Sequence, residues 1–166
     1  VIEAAGHILV LLENYKDASE LVTSVADADA MIVRSDMVTV EILDAAKKLR
    51  IVVRAGAGYD NLDLPACTVH KVVAMNTPGQ NSNAVAELAF EMMLYSARYG
   101  FIGKSGFELR GKTIGLHAFG NVGKYMAEIA KGFGMDIYAY DPFVSVDVIN
   151  ASGVKVCKSP DDLYSK

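Results

Sequence analysis

Short apolar runs alternate with stretches of helical periodicity along almost the whole chain. "HILVLLEN" (7–14) precedes the amphipathic "DASELVTSVADADA". Then come "MIVRSD", "TVEILDAAKKL", "IVVRAGAGYD" and, after a short helix, "VVAMN". Apolar runs of this length suit buried strands, and the period-3.6 segments between them suit helices. Such alternation predicts a mostly parallel sheet, doubly wound with helices on both faces. "NTPGQNSN" (76–83) is dense in turn formers and marks a hinge into the long helix "AVAELAFEMMLYSARYG". From Gly111 a second unit begins: "KTIGLHAF" as strand, "NVGKYMAEIAKGFG" as helix closing on Gly134, "MDIYAYDP" as strand, "SVDVINASG" as helix and "VKVC" as strand. The expected division is into domains 1–80 and 81–166.

At the start, "VIEAAGH" has the spacing of a helix finishing, with Gly6 as its left-handed cap. At the end, "SPDDLYSK" looks like a helix beginning at Ser159 with Pro160 in its first turn. Both ends therefore look cut, and a subunit of roughly 300 residues is expected. The chain has 166 residues with 52% hydrophobic and 22% charged content, a globular composition. A net charge of −4 with scattered basic residues argues against nucleic acid or an anionic membrane as partner. No apolar run approaches the roughly 18 residues of a membrane span and nothing resembles a signal peptide, so a cytoplasmic location is expected. Cys67 and Cys157 lie in no metal-like spacing and are expected to be reduced packing residues, and no metal site is expected.

The stretch "GLHAFGNVG" (115–123) joins an apolar strand to a helix, the context in which a glycine-rich turn can hold a pyrophosphate on free N–H groups and the helix dipole. Gly120 lets the backbone approach the phosphates and Gly123 lets the helix pack close to the strand. Ala118 stands where the tight-turn glycine is usual, at a cost of about 1 kcal/mol if its φ is positive. Asp141 ends the next strand, where a carboxylate can accept hydrogen bonds from the adenosine ribose. It would repel a 2′-phosphate, and no arginine follows it, so the cofactor expected is NAD rather than NADP.

The first unit has a second anion-binding candidate. Arg54 leaves a strand directly before "AGAG", whose small residues can turn consecutive backbone N–H groups into a nest for a carboxylate or phosphate, and Arg34 ends the preceding strand. Structural ion pairs of these arginines with Asp36 or Asp60 are an equal alternative.

"VVRAGAGYDNLDL", "VVAMNTPGQNSNAVAELAF", "ELRGKTIGL" and "AFGNVG" followed by "KGFGMDIYAYDP" resemble consecutive blocks of the D-2-hydroxyacid dehydrogenases, most closely the members that act on 3-phosphoglycerate. The resemblance runs from about Gly6 to Leu163. It implies an α/β chain made of a flavodoxin-like substrate-binding domain, lacking its first strand, and the first half of a Rossmann-type NAD-binding domain. It further implies NAD-dependent oxidation of 3-phosphoglycerate to 3-phosphohydroxypyruvate, the first step of serine synthesis, by a homodimer joined through the NAD-binding domain near "SARYGFIGKSGFEL". Carried over by position, Arg34, Ser35, Arg54, Ala55, Gly56, Ala57 and Asn81 are implied to bind substrate. Ala57, Gly120, Asn121, Val122, Gly123, Asp141 and Pro142 are implied to bind the cofactor. Many relatives have arginine where Asn121 stands, and some have threonine at Ala57.

The family's catalytic arginine, glutamate and histidine come later in its order than anything in this sequence, so no catalytic residue is expected here. His7 is expected to begin a strand, His70 to follow a surface helix, and His117 to lie inside a buried strand, all three as structural residues. Two other functions stay open: another 2-hydroxyacid dehydrogenase (acting on glycerate, glyoxylate, lactate or formate) and an NAD(H)-sensing, corepressor-like binding protein.

Overall fold

A computed structural model describes residues 1–166, which form two compact units, Val1–Pro78 and Gly79–Lys166. The first contains α1 (Ala18–Val25), β1 (Ala30–Val33), α2 (Val40–Ala45), β2 (Ile51–Arg54), α3 (Leu64–Val69) and β3 (Val73–Asn76). Helix α1 starts sharply because the Asp17 carboxylate accepts the Ser19 N–H at 2.8 Å while Glu20 accepts the Asp17 N–H at 3.2 Å, a reciprocal cap. The three strands are parallel in the order β1-β2-β3, with Met31 beside Val52 and Val52 beside Ala74. Met31, Val33 and Val52 point into a core closed by Leu21, Val25, Ile42, Leu43 and Cys67 from the helices.

Helices cover one face of this sheet only, which corrects the expectation of helices on both. Consecutive parallel strands joined by crossovers of one hand put every connecting helix on the same side. The alternate residues Ile32, Val73 and Met75 are left 61%, 56% and 49% exposed. The expected strand in "HILVLLEN" is also absent. Residues 7–13 carry no regular structure, and Ile8, Val10 and Leu11 are exposed. A strand is made by its neighbour, and β1 pairs only with β2; an apolar run records a capacity for burial without naming the edge that receives it. Ahead of it, Glu3–Ala5 form one turn of 3₁₀ helix, closed as expected by Gly6 at φ 84°.

The second unit contains α4 (Ser82–Ala97), β4 (Thr113–His117), α5 (Asn121–Gly132), β5 (Asp136–Tyr140), α6 (Val146–Ala151), β6 (Lys155–Val156) and α7 (Pro160–Tyr164). Its sheet is again parallel, in the order β4-β5-β6. Ile114, Leu116, Ile137 and Ala139 face a core shared with Phe90 of α4, Ala127 and Ala130 of α5 and Ile149 of α6. Phe90 stacks on Phe133 at 5.2 Å between centroids. After β6 the chain turns back, and α7 packs on β4 and β5. A Cβ on Gly115 would lie 3.2 Å from Leu163, so this glycine sets how closely α7 approaches the sheet. β4 and β5 end side by side, His117 next to Tyr140, and it is outside the carboxyl ends of such strands that open α/β sheets bind ligands. No helix is long and apolar enough to cross a membrane. Cys67 and Cys157 are buried and free, as expected, and burial pushes both thiols up from their usual range.

Candidate functional site

In the first unit the C-terminal ends of all three strands converge. Val33 of β1 lies beside Arg54 of β2, which lies beside Asn76 of β3. The loop after β2 is tied on both sides: the Ala55 N–H donates to the Val33 carbonyl at 2.7 Å, the Thr77 N–H to the Gly56 carbonyl at 2.9 Å, and the Asn76 amide to the Ala57 carbonyl at 2.7 Å. Arg54 folds back over this loop. Its Nε donates to the Arg34 carbonyl at 3.0 Å, and its guanidinium lies where any side chain on Gly56 would stand, with Nη1 only 1.5 Å from the position a Cβ would take.

The ion-pair alternative is not realised. The ion pairs join Lys48 to Asp27, Arg50 to Asp29, His70 to Asp44, Lys155 to Asp136 and Lys166 to Asp162, and neither Arg34 nor Arg54 takes part. Asp36 instead accepts from the Tyr15 hydroxyl at 2.5 Å, which raises the tyrosine above its usual pKa. The nest is narrower than the sequence suggests. The Gly56 N–H turns inward to the Arg54 carbonyl at 2.8 Å and that of Ala55 is also used, which leaves the N–H groups of Ala57 and Gly58 without an acceptor in the chain. Ser35 is exposed beside Arg34.

One residue here escaped the sequence reading. Asn61 is buried, and its amide donates to the Asp36 carbonyl at 2.8 Å while its own carbonyl accepts the Val38 N–H at 2.8 Å. The only signal in the sequence is a turn-forming "YDN" following "AGAG".

In the second unit β4 delivers the glycine loop to the N-terminus of α5. Ala118 has φ 110°, so the position does require a positive φ. Gly123 is required by packing: a Cβ there would lie 2.6 Å from the Ala118 carbonyl oxygen. Gly120 is different. Its φ of −76° suits any residue, and a Cβ would meet nothing within 4 Å, so neither conformation nor packing within the chain demands glycine; the space above the helix end is simply kept clear. No side chain caps α5, and the N–H groups of Asn121, Val122 and Gly123 have no acceptor in the chain. The helix thus presents a positive dipole end with unpaired donors.

Asp141 braces this loop. One carboxylate oxygen accepts the Phe119 N–H at 2.7 Å, and the other accepts from Phe143 at 2.8 Å and Val144 at 3.3 Å. The Phe119 N–H, followed by that of Phe143, holds the carboxyl below its usual range. The oxygen facing Phe119 keeps a lone pair for a further donor. Pro142 follows, exposed. Asn121 lays its amide against Gly79, with Nδ2 2.9 Å from where a Cβ would be, and Val122 is exposed beside it. Asn81 caps the start of α4 without a side-chain cap bond and is exposed.

The histidines lie apart from one another. His7 begins no strand, because no strand forms there. His70 ends α3, with Nδ1 2.8 Å from the Ala66 carbonyl and Nε2 3.0 Å from Asp44. His117 is exposed rather than buried. Alternation along β4 sends it away from Ile114 and Leu116 and onto the Gly115 face, against which α7 packs, and there Nδ1 lies 2.7 Å from the Tyr164 hydroxyl. No group of three or more His, Cys, Asp or Glu could hold a metal ion.

The comparisons with known proteins agree with this architecture. The profile of the D-isomer specific 2-hydroxyacid dehydrogenase catalytic domain matches residues 2–141. The chain is 33% identical to a D-3-phosphoglycerate dehydrogenase of Methanocaldococcus jannaschii, covering 100% of this chain and 34% of the relative. It is 39% identical to a hydroxypyruvate reductase of Thermotoga maritima, covering 81% and 48%. The crystal structure of NAD+-bound 3-phosphoglycerate dehydrogenase from Entamoeba histolytica superposes with a TM-score of 0.85 at 46% identity, covering 98% of this chain and 51% of that one. The chain therefore spans between a third and a half of the length of these proteins. With its parallel sheets, strand-end loops and a family profile matched over residues 2–141, the chain belongs to the D-isomer specific 2-hydroxyacid dehydrogenases.

Proposed function

We propose that this chain is the substrate-binding and cofactor-entry part of an NAD-dependent dehydrogenase that oxidises the 2-hydroxyl of 3-phosphoglycerate to 3-phosphohydroxypyruvate. The observation that carries the reading is Gly120, a glycine required by nothing in the chain, at the head of an uncapped helix and one residue from the Asp141-braced Phe119 N–H. That arrangement fits a dinucleotide. The N–H groups of Asn121, Val122 and Gly123 hold the pyrophosphate, the spare lone pair on Asp141 accepts from the adenosine ribose, and Pro142 bounds that side. Asn121 brings hydrogen bonding without charge, and the carboxylate of Asp141 disfavours a 2′-phosphate. When bound, NAD supplies the acceptor for the hydride from the substrate's C2.

The first unit supplies the substrate grip. Arg34, Ser35 and Arg54 hold the carboxylate with the free N–H groups of Ala57 and Gly58. Ala55 and Gly56 contribute shape, since their N–H groups are already used. The family resemblance assigns Ala57 to the cofactor as well, and Asn81 to the substrate. The names of the Methanocaldococcus and Entamoeba relatives favour 3-phosphoglycerate; the Thermotoga relative favours hydroxypyruvate and glycerate as the second reading.

A homodimer through the second unit is supported by α4. Its outer face carries Val85, Leu88, Met92 and Tyr95, followed by Tyr99, at alternating spacings of three and four, and these are 41–65% exposed. An apolar stripe with that period is the seam by which helices pair.

The test is nicotinamide absorbance in the whole protein supplied with NAD and each of 3-phosphoglycerate, glycerate, lactate and formate. NADH formation with 3-phosphoglycerate far above the others supports the proposal. Preference for glycerate transfers the function to hydroxypyruvate reduction, and NAD binding without turnover of any hydroxyacid favours a sensing protein.

A further inference from the structure

We propose that Tyr15 and Asn61 are positioning residues that hold segment 34–36, and through it the Arg34–Arg54 pair, in the geometry that receives a carboxylate. This rests on the substrate-binding reading above. The segment has no helix or strand to fix it, yet it is fastened at three points. The Arg34 carbonyl accepts from Arg54 Nε at 3.0 Å, the Asp36 carbonyl accepts from the Asn61 amide at 2.8 Å, and the Asp36 carboxylate accepts from the Tyr15 hydroxyl at 2.5 Å.

Each anchor comes from a different part of the unit. Tyr15 lies just before the cap of α1 and packs its ring on the core. Asn61 is buried in the loop after β2 and is itself fixed, because Val38 donates to the Asn61 carbonyl and Asp63 donates to the Val38 carbonyl, at 2.8 and 3.1 Å. Arg54 is the group to be positioned. The single hydrogen bond of its guanidinium falls on the carbonyl of the clamped segment, so the terminal nitrogens remain free while the direction is set. A loose segment 34–36 would carry the Arg34 carbonyl, and with it the guanidinium of Arg54, through many orientations. Fixing it in advance removes that ordering from the cost of binding.

Ordinary structural roles for Tyr15 and Asn61 predict lost stability and nothing more. The clamp predicts lost order at Arg54. Two variants of the full chain separate these. Tyr15→Phe removes one hydroxyl and keeps the ring in the core. Asn61→Asp keeps the shape but replaces the donor facing the Asp36 carbonyl with an acceptor. The first readout is hydrogen exchange of the Arg54 Nε–H by NMR, which needs no turnover. The second is titration with oxalate, a small planar dicarboxylate, together with separate KM and kcat values for 3-phosphoglycerate.

The expected result is faster Arg54 Nε–H exchange in both variants and oxalate affinity weakened about 3- to 10-fold, the worth of one lost hydrogen bond. The KM for 3-phosphoglycerate should rise by the same factor with kcat and the KM for NAD unchanged. In an Asp36→Ala background, Tyr15→Phe should have no further effect. Unchanged Arg54 exchange in a folded Tyr15→Phe protein overturns the clamp, as does unchanged oxalate affinity despite faster exchange. Faster exchange in a protein whose wild type binds no oxalate upholds the clamp's geometry and overturns the carboxylate-binding reading on which its purpose rests.

Discussion

Replacing Ala118 with glycine should stabilise the protein. Ala118 is held at φ 110°, beyond the left-handed region that L residues sometimes visit. A side chain in such a conformation costs about 1–2 kcal/mol. Glycine removes that strain but widens the unfolded ensemble, which takes back about 0.5–1 kcal/mol. Ala118 is exposed, so its methyl group contributes little burial to offset the gain. The net expectation is a gain of about 0.5–1 kcal/mol. With a urea dependence of roughly 2 kcal/mol per molar, the unfolding midpoint should move up by about 0.3–0.5 M with an unchanged slope. Gly123→Ala is the control of opposite sign, because its Cβ would stand 2.6 Å from the Ala118 carbonyl oxygen, a backbone atom that cannot step aside. An Ala118→Gly midpoint at or below the wild type would refute the reasoning, since it would mean that the loop does not carry the strain its backbone describes.

Three other outcomes follow from the same geometry. Gly56→Ala should raise the substrate KM several-fold while changing stability by less than about 1 kcal/mol, because the new methyl meets the far end of the flexible Arg54 side chain rather than backbone; steady-state kinetics beside a melting curve checks this. His70 should titrate above an ordinary histidine by NMR, since its hydrogen bonds to Asp44 and to the Ala66 carbonyl favour the protonated form, and Asp44→Asn should remove most of the shift. Its contribution to stability is therefore fully present below the unfolded value of about 6.5 and lost as pH rises through the higher folded value. Leu88→Glu, in the middle of the exposed α4 stripe, should convert the proposed homodimer to a monomer by light scattering; an unchanged mass would remove α4 from the contact.

The second unit was more legible in the sequence than the first, and the cause is locality. The glycine loop, the helix closing on Gly134 and the strand ending at Asp141 are written in neighbouring residues whose spacing fixes their roles. The fate of "HILVLLEN" depends on a strand edge elsewhere in the chain, which no periodicity specifies. The uncovered sheet face follows from strand order, again a non-local property. At the candidate site, Arg34, Arg54 and the glycines could be named from sequence because strand ends and small residues mark them. The inward turn of the Gly56 N–H and the Asn61 amide under Asp36 could not, since both depend on how two loops meet. His117 was misplaced for a simpler reason: alternation along β4 gives two faces, and the apolar run around it concealed which one it occupies.

The most direct test of the account is calorimetric titration of NAD and NADP into the whole protein and its Asp141→Ala variant. The wild type should bind NAD and strongly prefer it to NADP. The variant should bind NAD more weakly and lose most of the preference, since the ribose acceptor, the brace on the Phe119 N–H and the charge that repels a 2′-phosphate disappear together. Equal NAD affinity in both proteins, with an unchanged preference, would contradict the claim that the loop at the head of α5 and the carboxylate beside it form a dinucleotide site.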